Sequence, residues 1–128
     1  MDDRKTKVLL VEDNAMNSHL VHYVLERDGF LVIYATNAEK AIRLAAGESP
    51  DIILMDIQLP GMDGLRATGL LKQDPQTAAI PIVAITAHAM RGDEERIRAA
   101  GCEGYISKPI NTRELASMVR GYLKSSNG

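Results

Sequence analysis

Short apolar runs alternate along this chain with segments in which hydrophobic residues recur at helical spacing. Nearly continuous runs of Val, Ile and Leu are typical of parallel strands that are covered on both faces. The pattern predicts strands at Lys7–Glu12, Leu31–Ala35, Asp51–Met55, Ile82–Ile85 and Gly104–Ser107.

The segments between the strands have the spacing of amphipathic helices. The predicted helices are Ala15–Asp28, Ala38–Ala46, Leu65–Gln73, Arg91–Ala100 and Thr112–Lys124. Strands and helices that alternate in this way form a parallel sheet with right-handed crossovers. The predicted fold class is therefore α/β, a doubly wound (βα)5 domain around a five-stranded parallel sheet.

Residues at the helix ends refine this frame. Thr36 and Glu39 have the spacing of a capping box for the second helix, and Gly47 is a typical helix end. Asn111 and Glu114 give the fifth helix a start signal. The first helix is expected to bury one apolar face, made of Met16, Leu20, Tyr23 and Val24.

Composition and charge exclude several classes of function. The 128 residues suffice for one domain, predicted to span 1–128 without an output domain, and the net charge of −2 offers no basic footprint for nucleic acid. No apolar run reaches the roughly 18 residues of a membrane span. The chain also lacks a signal peptide, and its single cysteine, Cys102, cannot form an intrachain disulfide. We therefore expect a cytoplasmic protein that binds neither membranes nor nucleic acid.

Acidic residues end two of the predicted strands. Glu12 and Asp13 follow the first strand, and Asp56 follows the third. Ligands of open α/β sheets bind at the carboxyl ends of the strands, so we expect these carboxylates to converge there. Their mutual repulsion should raise at least one pKa, and a divalent cation such as Mg²⁺ would neutralise them. Taken singly, each residue has an ordinary structural role, so the prediction depends on this convergence.

Further polar groups follow the other strands, namely Thr86-Ala87 after the fourth and Lys108 after the fifth. A carboxylate such as Asp56 can attack phosphorus and form an aspartyl phosphate. Phosphoryl transfer requires positioning and charge neutralisation, which the Lys108 ammonium, the Thr86 hydroxyl and the Ala87 N–H group can supply.

Four segments resemble the receiver domain of two-component response regulators: VLLVEDN at 8–14, IILMDIQLPGMDGL at 52–65, VAITAHAM at 83–90 and GYISKPI at 104–110. The motif details are similar to single-domain regulators of the cell-cycle and chemotaxis type and to receivers of hybrid kinases. The resemblance implies a flavodoxin-like fold with strand order 2-1-3-4-5.

It also implies residue roles. Asp56 matches the phosphoacceptor, which is also a Mg²⁺ ligand. Asp13 matches a direct metal ligand, and Glu12 matches an acid that acts through metal-bound water. The backbone carbonyl of Gln58 matches the third protein ligand. The remaining matches are the phosphate-binding Thr86, Ala87 and Lys108, the switch residues Thr86 and Tyr105, and Pro109 after a cis peptide bond.

The resemblance extends to partners and activity. The implied phosphodonor is a phosphohistidine of a sensor kinase or phosphotransfer protein, docking over Asn14, Met16 and Asn17. The signal would leave through the surface of helix 4, strand 5 and helix 5 to a downstream protein.

We expect a monomer or weak dimer that catalyses only its own phosphorylation and dephosphorylation. Gln58 and His88 are not strong bases, so we predict a long-lived phosphoryl group.

Other hypotheses share parts of the pattern. A phosphatase of the haloacid-dehalogenase type needs an Asp two residues after its nucleophile, where this chain has Gln58. A flavin binder needs a phosphate loop after the first strand, where the charges of Glu12-Asp13-Asn14 would repel phosphate. A degenerate receiver that only binds partners is disfavoured because no pocket residue is missing.

His19 and His22 lie three apart, but we expect a solvated helix face there rather than a metal site.

Overall fold

The computed structural model describes residues 5–59, 61, 63–87 and 91–127. Five strands form one sheet: β1 (Lys7–Val11), β2 (Leu31–Ala35), β3 (Ile52–Asp56), β4 (Ile82–Thr86) and β5 (Gly104–Ser107). All neighbouring strands are parallel, and their order is β2-β1-β3-β4-β5. The predicted fold class and strand order are confirmed.

Each strand is followed by a helix. The helices are α1 (Ala15–Arg27), α2 (Ala38–Glu48), α3 (Gly64–Gln73), α4 (Arg91–Ala100) and α5 (Leu115–Asn127). None of the helices within the described ranges is long and apolar enough to cross a membrane.

The register of the central strands places the acidic segments side by side. Val11 pairs with Met55 across β1 and β3, so the residues that follow them, Glu12 and Asp56, leave the sheet at the same edge. The direction in which successive strands are added to the sheet reverses between β1 and β3, and doubly wound sheets have a ligand-binding crevice at this point.

Apolar side chains cover both faces of the sheet. Leu9 and Val11 point into a core layer with α2, α3 and α4, whereas Val8 and Leu10 point into a layer with α1 and α5. Successive strand residues face opposite sides, so nearly continuous apolar runs are needed to fill both layers. The helical residues buried in these layers include Ala41, Leu71, Ile97, Leu25, Leu115 and Val119.

The face that α1 buries differs from the predicted one. Met16, Leu20 and Tyr23 are exposed by 82%, 41% and 66%, whereas Val21, Val24 and Leu25 are buried. The helix carries two overlapping apolar stripes, and only one of them can face the sheet. The buried set packs in one cluster with Phe30 and Val32, contacts that no helical periodicity reveals. Of the predicted face, only Val24 is correct.

The predicted ends of two helices are also wrong. The Asn37 side chain, not Thr36, caps α2 by accepting a hydrogen bond from the Lys40 N–H at 2.9 Å. The helix continues through Gly47 to Glu48, and Ser49 adopts the left-handed conformation at its end. Thr36 and Asn37 are both ordinary N-cap residues, so the sequence offered two adjacent candidates at the start of α2.

The start of α5 lies later than predicted. Residues 112–114 form a turn, and the helix begins at Leu115. Asn111 nevertheless anchors this turn, because its side chain accepts a hydrogen bond from the Arg113 N–H and its carbonyl accepts one from the Leu115 N–H.

Candidate functional site

Three carboxylates meet at the carboxyl edge of the sheet. The Glu12 N–H donates to the Ala35 carbonyl at 3.0 Å, which holds the end of β1 against β2. Asp56 is the last residue of β3. One carboxylate oxygen from each of Glu12, Asp13 and Asp56 lies within 4.8 Å of the others. The convergence predicted from the strand ends is confirmed.

The three acids differ in their access to solvent. Glu12 and Asp56 are only 3% and 1% exposed, whereas Asp13 is exposed. Asp13 is therefore the acid of the cluster that is most accessible from solvent.

Lys108 brings a positive charge to the buried pair. Its Nζ atom lies 3.1 Å from Asp56 Oδ2 and 3.8 Å from Glu12 Oε2. The backbone explains this position, because the Lys108 N–H donates to the Thr86 carbonyl at 2.8 Å and ties the residue to the end of β4. The Lys108–Pro109 peptide bond is cis, as predicted.

The second oxygen of each buried carboxylate also has a partner. Asp56 Oδ1 accepts a hydrogen bond from the Gln58 backbone N–H at 2.8 Å. Glu12 Oε1 accepts one from Asn17 Nδ2, on the first turn of α1, at 3.0 Å. Both carboxylates are therefore held in one orientation by groups from the surrounding loops and α1.

These contacts drive the pKa values of the two buried acids apart. Burial, together with the hydrogen bond to Asp56, raises the pKa of Glu12 to about 7. Burial alone would raise the pKa of Asp56 as well, but the hydrogen bonds from Glu12, the Gln58 N–H and Lys108 outweigh it and hold that pKa below its usual value. The predicted rise of one pKa falls on Glu12, and Asp56 is the ionised member of the pair near neutral pH.

Gly64, at the start of α3, packs against the end of β3 beside Asp56. A Cβ atom at this position would lie 2.5 Å from the Asp56 carbonyl oxygen and 2.7 Å from Ile57 Cα. The absence of a side chain lets the start of α3 pack directly against the end of β3. Asp63 caps the same helix by accepting hydrogen bonds from the Leu65 and Arg66 N–H groups. The Asp63-Gly64 pair after the third strand is the feature of the sequence that could have indicated this helix start.

The other predicted site residues lie on the β4 and β5 side. Thr86 is buried at the end of β4, opposite Ser107, and Ala87 is exposed. Tyr105 is half-buried on β5, and its carbonyl faces the Tyr122 hydroxyl of α5 at 3.5 Å. His88 lies outside the described residues.

His19 and His22 do not join the acidic cluster. His22 pairs with Glu26 at 2.7 Å and stacks on Tyr34 with ring centroids 5.2 Å apart. His19 is exposed on the same helix. Among the described residues, only Glu12, Asp13 and Asp56 form a group of metal-ligating type.

Residues 8–120 match the response regulator receiver domain. The chain belongs to this family. Receiver domains are signalling modules rather than enzymes that turn over a substrate, so the phosphatase and flavin-binder hypotheses are set aside.

Similar proteins agree with the family. The chain is 47% identical over 116 residues to the polar-differentiation response regulator DivK of Brucella anthropi, covering 91% of this chain and 94% of that protein. It is 33% identical, with a TM-score of 0.87, to the receiver domain of a sensor histidine kinase from Pseudomonas aeruginosa, covering 94% and 99% of the two chains. That structure has a magnesium ion coordinated in its active-site cleft. The chemotaxis protein CheY4 of Vibrio cholerae shares the fold, with a TM-score of 0.88 at 24% identity over 93% and 99% of the chains.

The acidic cluster of this receiver domain fits a divalent cation. Its donors are carboxylate oxygens, the ligands that hard cations such as Mg²⁺ prefer. Three acidic side chains share the single ammonium group of Lys108, so acids outnumber this cation in the cluster and a divalent cation can balance them.

Proposed function

We propose that this receiver domain accepts a phosphoryl group on Asp56 from a phosphohistidine of a sensor kinase or phosphotransfer protein. The observation that carries the proposal is the Asp56 carboxylate, buried at the crevice, ionised, and held between the Lys108 ammonium and the Gln58 N–H. An ionised and oriented carboxylate is the nucleophile that this chemistry requires.

In the transfer step, an Asp56 carboxylate oxygen attacks phosphorus in line with the leaving group. The new bond joins oxygen to phosphorus, the phosphorus–nitrogen bond of the phosphohistidine breaks, and the imidazole leaves with the electron pair. Lys108, already 3.1 Å from Asp56 Oδ2, would neutralise charge on the phosphoryl oxygens. The Thr86 hydroxyl and the Ala87 N–H would bind the other oxygens, since both residues stand at the end of β4.

Glu12, Asp13 and Asp56, with the Gln58 carbonyl, are the proposed Mg²⁺ ligands. When bound, the ion neutralises charge on the transferring phosphoryl group. In the metal-free site, hydrogen bonds from Glu12, the Gln58 N–H and Lys108 hold the pKa of Asp56 below its usual value, so its carboxylate is ionised. We propose that the chain, as a signalling domain, catalyses only its own phosphorylation and dephosphorylation.

The donor protein is proposed to dock on the exposed side of α1. Met16, Leu20 and Tyr23, which we name the outer stripe of α1, are large apolar residues exposed beside the site. A groove of about 440 Å³ lined by Asp13, His19 and Tyr34 runs along the same helix to the acidic cluster. Exposed apolar surface that borders a polar site is typical of a protein-binding surface.

The phosphoryl group is proposed to act on partners through α4, β5 and α5. Its oxygens would attract the Thr86 hydroxyl at the end of β4. Thr86 and Tyr105 lie on adjacent paired strands, so a shift of Thr86 would free space into which the Tyr105 ring can turn. The resulting surface would bind a downstream protein, and the energy available for this switch equals the difference in phosphate contacts between the two states.

Incubation with acetyl phosphate, with and without Mg²⁺, followed by intact-mass measurement tests the proposal. We expect a Mg²⁺-dependent gain of one phosphoryl group that is absent in Asp56→Asn and retained in the control Asp74→Asn, whose carboxylate serves an exposed turn. A small donor bypasses the docking surface, so a phosphorylated histidine phosphotransfer domain is the second donor. No labelling of Asp56 from either donor would contradict the proposal and favour a receiver that only binds partners.

A further inference from the structure

Asn17 connects helix α1 to the acidic cluster. Its Nδ2 atom donates a hydrogen bond to Glu12 Oε1 at 3.0 Å. Asn17 is half-buried in the first turn of α1, and the acid that it contacts is 3% exposed. The contact therefore lies at the inner wall of the site rather than among solvated side chains.

The two oxygens of Glu12 have different surroundings. Oε1 accepts the Asn17 amide, whereas Oε2 lies 3.8 Å from Lys108 Nζ, beyond hydrogen-bonding distance. The Glu12 side chain also shares a hydrogen bond with Asp56, so Asn17 and Asp56 together hold it in place. Without the Asn17 amide, Oε1 would lose the hydrogen bond that draws the Glu12 carboxylate toward α1. The side chain of Asn17 thus contributes to the orientation of Glu12.

We propose that Asn17 is a positioning residue that orients the Glu12 carboxylate for the divalent-cation site. The inference rests on the proposed function of the cluster. Side chains that hydrogen-bond to the acids of a metal site fix their direction, and loss of such a contact typically lowers metal affinity by 10–100-fold. Asn17 acts on the cation through Glu12 and is not itself a ligand.

The role is separable from helix capping. Asn14 caps α1, with its side chain accepting a hydrogen bond from the backbone N–H of Asn17 at 3.1 Å. Asn17→Ala keeps that backbone donor and places a stronger helix former in the first turn. A purely structural role in α1 therefore predicts a variant that folds well and binds Mg²⁺ like the wild type, whereas a positioning role predicts a selective loss of affinity.

The test is a Mg²⁺ titration of the full chain by calorimetry, for the wild type, Asn17→Ala and Asn17→Leu. Leucine is close to asparagine in shape and has no hydrogen-bond donor. Ser18→Ala, the next position on the same helix, is the matched control. We expect the Mg²⁺ dissociation constant to rise about tenfold in both Asn17 variants and to stay within about twofold of the wild type in the control.

Phosphorylation by acetyl phosphate supplies a second readout. The Mg²⁺ concentration that gives half the maximal rate should rise with the dissociation constant, whereas the rate at saturating Mg²⁺ should stay within about twofold of the wild type. Unchanged Mg²⁺ affinity in both Asn17 variants, beside a wild type that binds Mg²⁺ and is labelled on Asp56, would overturn the positioning role and leave the proposed function intact. A wild type that does not bind Mg²⁺ would overturn both.

Discussion

At the scale of single residues, the site is defined by two buried acids with opposite pKa shifts. Burial raises the pKa of Glu12 to about 7, whereas hydrogen bonds hold that of Asp56 below its usual value. The two residues are chemically similar and both strand-terminal. Their different roles come from their surroundings, because the Gln58 N–H and the nearest contact of Lys108 fall on Asp56.

The shift of Glu12 makes the stability of the metal-free protein dependent on pH. Its carboxyl is a stronger base in the folded chain than in the unfolded one, so the folded state binds more protons between pH 4.5 and about 7. The free energy of unfolding should therefore fall as pH rises through that window. The pKa shift of Asp56 has the opposite sign. It stabilises the folded state above the ordinary pKa of an aspartate, and this stabilisation is lost as pH falls below that value.

Glu12→Gln should remove this dependence. Urea unfolding in EDTA at pH 5, 6, 7 and 8 should show a decline for the wild type and a flatter curve for the variant, which should be the more stable protein at pH 8. A variant that declines as steeply as the wild type would show that Glu12 is not the responsible group.

At the scale of elements, α1 has two apolar faces with different uses. The inner face packs Val21, Val24 and Leu25 into the core, and the outer stripe of α1 faces solvent. The inner face stabilises the fold, and the outer stripe is the surface on which we propose that the donor protein docks. The same helix holds Glu12 through Asn17.

Matched leucine substitutions separate the two faces. Leu25→Ala should lower the free energy of unfolding by about 2–5 kcal/mol, because it removes a fully buried side chain. Leu20→Ala should change it by no more than about 0.5 kcal/mol. Leu20→Ala should instead slow phosphoryl transfer from a histidine phosphotransfer domain and leave labelling by acetyl phosphate unchanged. An equal loss with both donors would argue against docking on this stripe.

At the scale of the whole molecule, β4 and β5 join the site to a distant surface. The site ends of these strands carry Thr86 and Lys108, and the Lys108 N–H donates to the Thr86 carbonyl. Tyr105 lies on β5, and the Tyr122 hydroxyl places α5 against its backbone. These contacts are the route by which we propose that a phosphoryl group on Asp56 affects α5.

Thr86→Ala tests this connection. We expect labelling of Asp56 to persist, because the attacking carboxylate and Lys108 remain. Amide chemical shifts on phosphorylation should change across α4, β5 and α5 in the wild type and in the control Thr36→Ala, but only near the site in Thr86→Ala. Changes of equal extent in Thr86→Ala would exclude Thr86 as the coupling residue.

The sequence by itself determined the strands and the convergence of Glu12, Asp13 and Asp56, whereas the strand order came from the resemblance to receiver domains. Strands whose side chains fill core layers on both faces of the sheet consist of nearly continuous apolar residues. The carboxyl ends of parallel strands lie at one edge of the sheet. These are consequences of local pattern and topology, so they can be read from residue order alone.

Only the tertiary structure decided which stripe of α1 is buried and which of the two buried acids keeps its proton. It also showed why position 64 has no room for a side chain. Each depends on contacts between distant segments: Phe30 and Val32 beside α1, Lys108 beside Asp56, and the Asp56 carbonyl against α3. Helical periodicity gives spacing but not the rotation of a helix, and a carboxylate's pKa depends on neighbours that only folding supplies.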